Sequence, residues 1–442
     1  MRMRLGVVVA CAVGLLAARA QAVEIKEVTT PLGLKAWLVE DRSTPVVALS
    51  FAFASGSASE PGDQKGVSGL AAMLLTDGAG PFDAQAFKQR QEDAAASLGF
   101  SASSDRLSGS LRVLAANREQ GFELLRLALS EARFDEDMIE QRRAQVIGAL
   151  NQATQRPATV AQRTLAATVF ADHPYARDTS GLRESLKTLT AAALRARAQA
   201  LLVRTGLTIT AVGDIEEAEL ASQLDKAFGG LPLGAAPSPL PDWTPTSKPR
   251  TVNVERAVPQ SAILIAMPGI PRDDPDWYAY QVMSNILGGG QQSRLFSEVR
   301  EKRGLAYSVS AGIRTYRKAA LMVISSGSAN EKVADTLRVI RNELVRLRTD
   351  GVTEQELADS KTYLSGALAL SLDSSGAIAG LVQALQLDGL PRDHLDKRPA
   401  LIAAVKLEDV RRVARRVLRD EAMTTVVVGK PASPPPPAEK QD

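Results

Sequence analysis

The sequence predicts an α+β fold that occurs twice in one chain, each copy a sheet covered by helices. Three observations carry this. Residues 134–150 (FDEDMIEQRRAQVIGAL) align without a gap on residues 352–368 (VTEQELADSKTYLSGAL), at an offset of 218. Two β-rich runs ending in Val-Gly, LTITAVGDI at 207–215 and MTTVVVGK at 423–430, repeat at an offset of 216 between Gly213 and Gly429. Two matches in the same order at nearly one offset mark a duplicated unit of about 200 residues rather than a short solenoid period. Between the copies, residues 229–250 hold six prolines, too many for the interior of an element. The expected organisation is a leader at 1–22, a first unit at 23–230, a linker at 231–250, a second unit at 251–431 and an extended, disordered proline-rich tail at 432–442. That tail could also serve a partner as a proline-rich ligand.

Within the first unit, LKAWLVE and VVALSFAFASG alternate and branch as strands do. Helices are expected over 67–75, 84–98 and 118–131, with a hairpin-like stretch, GFSASSDRLSGSLRVLA, between the last two. Ile139, Val146 and Leu150 recur at helical spacing, which predicts a long helix over 135–152. In the second unit VNVERAVPQSAILIAMP reads as strand, 275–287 and 293–303 as helices, LAYSVSAG as strand, and 332–350 and 354–370 as helices.

Composition limits the function classes. The chain is 45% hydrophobic and 23% charged, ordinary for a globular protein. Arg2 and Arg4, an apolar run from Leu5 to Leu16 and the small-x-small site Ala20-Gln21-Ala22 have the layout of a secretory signal peptide. An exported, periplasmic protein is therefore expected. Cys11, the only cysteine, falls inside the leader, so the mature chain would be free of thiols; Cys11 as a lipid-anchor site is the alternative. Removing Arg2, Arg4 and Arg19 leaves 50 basic and 50 acidic residues. That balance offers no basic excess for a nucleic-acid backbone, and no later run approaches the ~18 apolar residues of a membrane span.

Several segments resemble the pitrilysin/insulinase family of zinc metallopeptidases, in the branch of the mitochondrial processing peptidases. They are GVSGLAAMLLTDGAG at 66–80, FADHPYARDTSGLRESLKTLT at 170–190, LTITAVGDI, and LGGGQQSRLFSEVREKRGLAYSVSAG at 287–312. The resemblance runs from about Lys26 to Val428 and implies two homologous domains, each a mainly antiparallel sheet covered by helices. Active members carry an inverted His-x-x-Glu-His zinc motif on a helix and a downstream glutamate, which together leave one coordination position open for water. In this chain Gly69, Ala72 and Met73 stand where His, Glu and His would, and Ala149 falls at the downstream ligand. None binds zinc or accepts a proton. The chain has only His173 and His394; His173, in His-Pro-Tyr, reads as a turn residue and His394 as a surface residue. No metal is expected in this chain.

The resemblance also maps Arg300 and Tyr307, in VREKRGLAYSV, onto a pair that binds substrate and stabilises the reacting carbonyl opposite the zinc. Both side chains are strong donors, suited to a developing oxyanion. Leu305, Tyr307 and Val309 would share a strand face, so a packed tyrosine is the alternative. The glycines at 288–290 lack a following Gly-Lys-Ser/Thr, which argues against a phosphate loop. The implied function is the non-catalytic, substrate-binding subunit of a heterodimeric peptidase acting on extended peptides. A homologous partner subunit would carry the zinc. A peptide-binding protein that does not cleave is the rival.

Overall fold

The computed structural model of the chain describes residues 24–235, 239–246 and 248–432. The expected leader, with Cys11 and its boundary at 22, lies outside the described residues, as does the tail beyond Ala432. The first half builds β1 (Lys26–Thr29), β2 (Lys35–Glu40), β3 (Val46–Phe53), β4 (Ser97–Ala102), β5 (Leu107–Leu114) and β6 (Thr208–Gly213). The second builds β7 (Arg250–Glu255), β8 (Gln260–Pro268), β9 (Ala306–Tyr316), β10 (Ala319–Ala329) and β11 (Thr424–Gly429).

The two sheets share one topology. Strand order is β1-β2-β6-β3-β5-β4 in the first and β7-β11-β8-β10-β9 in the second. In each, a single parallel pair, β2 with β6 and β7 with β11, interrupts antiparallel pairing. The two Val-Gly repeats therefore occupy equivalent strands, one place in from the parallel neighbour. Phe51, Phe53, Leu38 and Leu49 are wholly buried between the first sheet and its helices. Burying such side chains contributes about 1.5–3 kcal/mol each.

The helix that follows each long helix crosses to the other half. Pro157–Phe170 lies against β8 and β11, placing Leu165 and Phe170 with Leu264, Val323 and Val426. Its counterpart Ser375–Leu387 lies against β3 and β6, placing Ala379 and Val382 with Ala48 and Val212. Neither half can bury both faces of its sheet without the other. The contact is sealed by Asp105, in the β4–β5 turn, which accepts from the Tyr175 hydroxyl at 2.6 Å and from the Arg317 amide at 3.0 Å.

Three expectations change in detail. The helix expected over 84–98 stops at Asp93, and Ala95 at φ 48° turns the chain into β4. The single run expected over 252–268 is two strands with a turn between them. The expected linker ends one residue early, because Arg250 already opens β7; residues 231–249 contain no helix or strand among those described but are pinned down: Trp243 donates to the Val169 carbonyl at 3.2 Å, and Leu240 is buried with Phe170.

Candidate functional site

The helix Val67–Leu74 carries Gly69, Ala72 and Met73, and touches the long helix Glu136–Ala153, which carries Ala149. Its N-terminus is capped from a distance. Gly66 at φ 94° provides no side chain, and the Glu60 carboxylate accepts instead from Gly66 N at 2.9 Å and Ser68 N at 2.8 Å, satisfying amides that a helix start leaves without partners. Arg197 lies alongside, donating to Ser68 Oγ, Ser59 Oγ and the Gly56 carbonyl at 2.7–2.9 Å. Nothing in the sequence marks Glu60 and Arg197, because neither stands at a motif spacing.

The four motif positions do not suit zinc. Gly69 has no side chain, Ala72 is a methyl group 2% exposed, Ala149 is an exposed methyl group and Met73 a soft thioether, whereas zinc takes thiolate, imidazole or carboxylate. The nearest acid past the helix, Asp77, is consumed by Arg142, which donates to both of its oxygens at 2.6 and 2.7 Å. Among the described residues no group of three or more His, Cys, Asp or Glu could hold a metal ion.

Arg300 and Tyr307 lie in the other half, and no contact among the described residues links them to the four motif positions. Arg300 belongs to a wide helical turn, Phe296–Glu301, in which Lys302 N reaches back five residues to the Ser297 carbonyl at 2.9 Å. Its guanidinium sits 4.9 Å from the Phe296 ring centroid and has no carboxylate partner among the described residues. Gly304, at φ 56°, then turns the chain into β9.

Tyr307 is the extra residue of a β-bulge. Ala306 faces Ser328 and Ser308 faces Gly327, so nothing on β10 pairs with Tyr307. Bulges of this kind re-aim a side chain. The strand face shared with Leu305 and Val309 is broken as a result: Val309 is 6% exposed, and Tyr307 is 65% exposed with no hydrogen-bond partner for its hydroxyl among the described residues. The packed alternative is thereby overturned. Two donors without hydrogen-bond acceptors among the described residues thus stand on successive elements, a helical turn and the strand β9, which among the described residues has no neighbour on its outer side.

Neither histidine is hydrogen-bonded to a residue of either group. His173 serves a turn, accepting from Tyr175 N at 3.2 Å through Nδ1 while Nε2 meets the Pro241 carbonyl at 2.8 Å. His394 is not at the surface as expected but 5% exposed. Its helix, His394–Ala403, packs on the helix Trp277–Gly288, where Tyr278 Oη lies 2.6 Å and Arg272 Nη2 3.2 Å from His394 Nε2. An arginine can only donate, so Nε2 is the acceptor. Burial, and then Arg272 and Arg398, hold the imidazole pKa below its ordinary value.

Comparison with known proteins agrees with this geometry. Residues 35–182 match the insulinase (peptidase family M16) model and residues 188–364 the peptidase M16 inactive domain. An uncharacterized zinc protease of Streptomyces coelicolor is 29% identical over 68% of this chain and 66% of its own length. A non-peptidase homolog of Helicobacter pylori is 26% identical over 74% of this chain and 76% of its own. Similar proteins of Mycobacterium tuberculosis match over 58% of theirs, so the chain spans roughly three-fifths to two-thirds of the first curated relatives it matches. The crystal structure of a peptidase M16 inactive domain from Pseudomonas fluorescens superimposes with a TM-score of 0.87 at 28% identity, covering 94% of this chain and all of that one. With two M16 matches and a shared fold, the chain belongs to the insulinase (M16) peptidase family, and it has no zinc ligand at the four motif positions.

Proposed function

We propose that this chain is the substrate-binding subunit of an exported, heterodimeric zinc metallopeptidase that processes or degrades extended peptides. A homologous partner subunit holds the zinc, and Arg300 and Tyr307 face that zinc across the substrate. The observation that carries the reading is an asymmetry: the metal positions have no ligands, whereas the bulge leaves Tyr307 exposed on the strand that follows Arg300's helical turn, and among the described residues Arg300 has no carboxylate partner. A guanidinium and a phenol that converge on a developing oxyanion lower its energy relative to the ground-state carbonyl. The basic, then apolar, then small-residue order of residues 1–22 supports export. Among the described residues no helix is long and apolar enough to cross a membrane.

The test is Tyr307→Phe in the assembled complex. Loss of one oxyanion donor lowers kcat by about 10²-fold or more, with KM changed much less. An unchanged kcat removes Tyr307 from the reaction. The second reading, a protein that binds extended peptides without cleavage, is favoured by the unpaired outer edges of β4 and β9, which could accept an added strand. It predicts tight peptide binding by this chain alone, unaffected by Tyr307→Phe.

A further inference from the structure

The stretch 296–303, which carries Arg300, holds three cations, Arg300, Lys302 and Arg303, and two acids, Glu298 and Glu301. Glu298 takes two of the cations. Lys302 Nζ donates to one of its carboxylate oxygens at 2.6 Å, while Arg303 donates to the other and, at 2.8 Å, to the Glu298 carbonyl. Lys302 first and then Arg303 hold the Glu298 carboxyl below its ordinary pKa against the effect of burial. Arg300 is left out of this pairing for a geometric reason. Residues one or two apart on a helical turn do not face each other, so neither Glu301 nor Glu298 stands over it, and among the described residues neither pairs with it. The residue four before it does face it. That residue is Phe296, and Arg300 Cζ lies over its ring, 4.9 Å from the centroid. Phe296 is half-buried against the core of the second half, and Val299, wholly buried, anchors the same turn.

A carboxylate and a ring hold a guanidinium in different ways. A carboxylate takes N–H groups of the planar fork, often two at once. A ring attracts the charge through the guanidinium face and leaves the N–H groups at its rim to other acceptors. We propose that Phe296 is the positioning residue for Arg300. It holds the guanidinium by its face, and Glu298 occupies the two neighbouring cations, so the turn offers one oriented set of donors to a peptide carbonyl. This rests on the role given to Arg300 above and adds the residue that orients it. An arginine already ordered before substrate arrives lowers the entropic cost of binding and meets the narrow geometric tolerance of the reacting complex.

The test has two arms. The contact is read in the full chain alone, by NMR of the Arg300 Nε proton, which is shielded over the face of a ring. Its resonance should lie upfield in the wild type and in Phe296→Tyr, which keeps the ring, and return to the ordinary arginine position in Phe296→Leu, which keeps the apolar bulk. An ordinary position in the wild type would overturn the proposal. The consequence is read as cleavage of an unstructured peptide by the complex with the zinc-bearing homologue. An exposed cation–π contact corresponds to a factor of about two to five, so Phe296→Leu should lower kcat/KM by about that factor and Phe296→Tyr should recover most of it. The loss should vanish when Arg300→Ala is already present, because Phe296 acts through Arg300. No loss with Phe296→Leu, no recovery with Phe296→Tyr, or an equal loss in both backgrounds overturns the assignment of Phe296 while the role of Arg300 stands. Cleavage unaffected by Arg300→Ala overturns that role, and the assignment of Phe296 with it.

Discussion

Asp77 and Arg142 form a two-pronged ion pair that ties the chain just past the helix Val67–Leu74 to the long helix Glu136–Ala153. The second half repeats the brace with the charges exchanged. Arg294, just past the helix Trp277–Gly288, donates to both oxygens of Glu356 on the helix Glu354–Leu370, at 2.6 and 2.8 Å. Burial pushes the Glu356 carboxyl up, but the donors Arg294 and Thr353 outweigh it and its pKa is lowered. In the first half the brace joins the helices that carry Gly69, Ala72, Met73 and Ala149. The Asp77 side chain is 6% exposed, so Asp77→Ala leaves a partly buried guanidinium unpaired and should cost about 3 kcal/mol. Urea unfolding measures this, and a wild-type midpoint for Asp77→Ala would show that the brace is not structural.

Two glycines should respond oppositely to alanine. Gly181 has φ 82°, and a Cβ there would lie 2.6 Å from the Gly66 Cα, where the 178–182 loop presses on the start of the degenerate helix. Gly181→Ala should destabilise by about 2 kcal/mol or more. Gly148 sits in the exposed part of a regular helix with nothing within 4 Å of a Cβ, so Gly148→Ala should stabilise by about 0.5–1 kcal/mol. Thermal or urea unfolding of the pair checks the packing of loop on helix.

Stability should fall on mild acidification because of His394. Its pKa is lowered in the folded chain by burial first, and then by Arg272 and Arg398, while the unfolded imidazole titrates near the ordinary value of about 6.5. As pH falls the unfolded chain therefore takes up the proton first. The contribution is full above about pH 6.5 and is lost as pH drops from there toward the folded pKa. Asp388, raised by burial despite Arg272, acts in the opposite direction at lower pH, since the folded chain is protonated first. His394→Gln should flatten the unfolding free energy between pH 7.5 and 5.5 (a window about one unit either side of that ordinary value). Parallel curves for the two proteins would exclude His394 as the source.

Much of this architecture is legible in residues alone, for physical reasons. Copies of one sheet need the same strand in the same place, and the two Val-Gly runs, β6 and β11, mark it. The crossing helices are harder to read. Periodicity can indicate that Pro157–Phe170 is helical but not which sheet it covers, because the faces of Leu264 and Val426 are as apolar as those of its own half. In sequence His394 reads as a surface residue because its neighbours Asp393, Asp396 and Lys397 are charged. Its burial comes from Tyr278, more than a hundred residues away. The exposure of Tyr307 depends on a one-residue bulge opposite Gly327 and Ser328, and alternation along β9 gives no sign of it. The missing zinc ligands required no structure, since two histidines so far apart in sequence cannot form the motif.

The central claim is that this chain completes a zinc peptidase it cannot form alone. The direct measurement is cleavage of an unstructured peptide by the mature chain, by a coexported homologue bearing His-x-x-Glu-His, and by their mixture, each with and without a chelator. The account predicts chelator-sensitive cleavage by the mixture well above that of either chain alone, and loss of most of it with Tyr307→Phe. A homologue equally active with and without this chain, or a mixture that binds peptide but never cuts it, would contradict it.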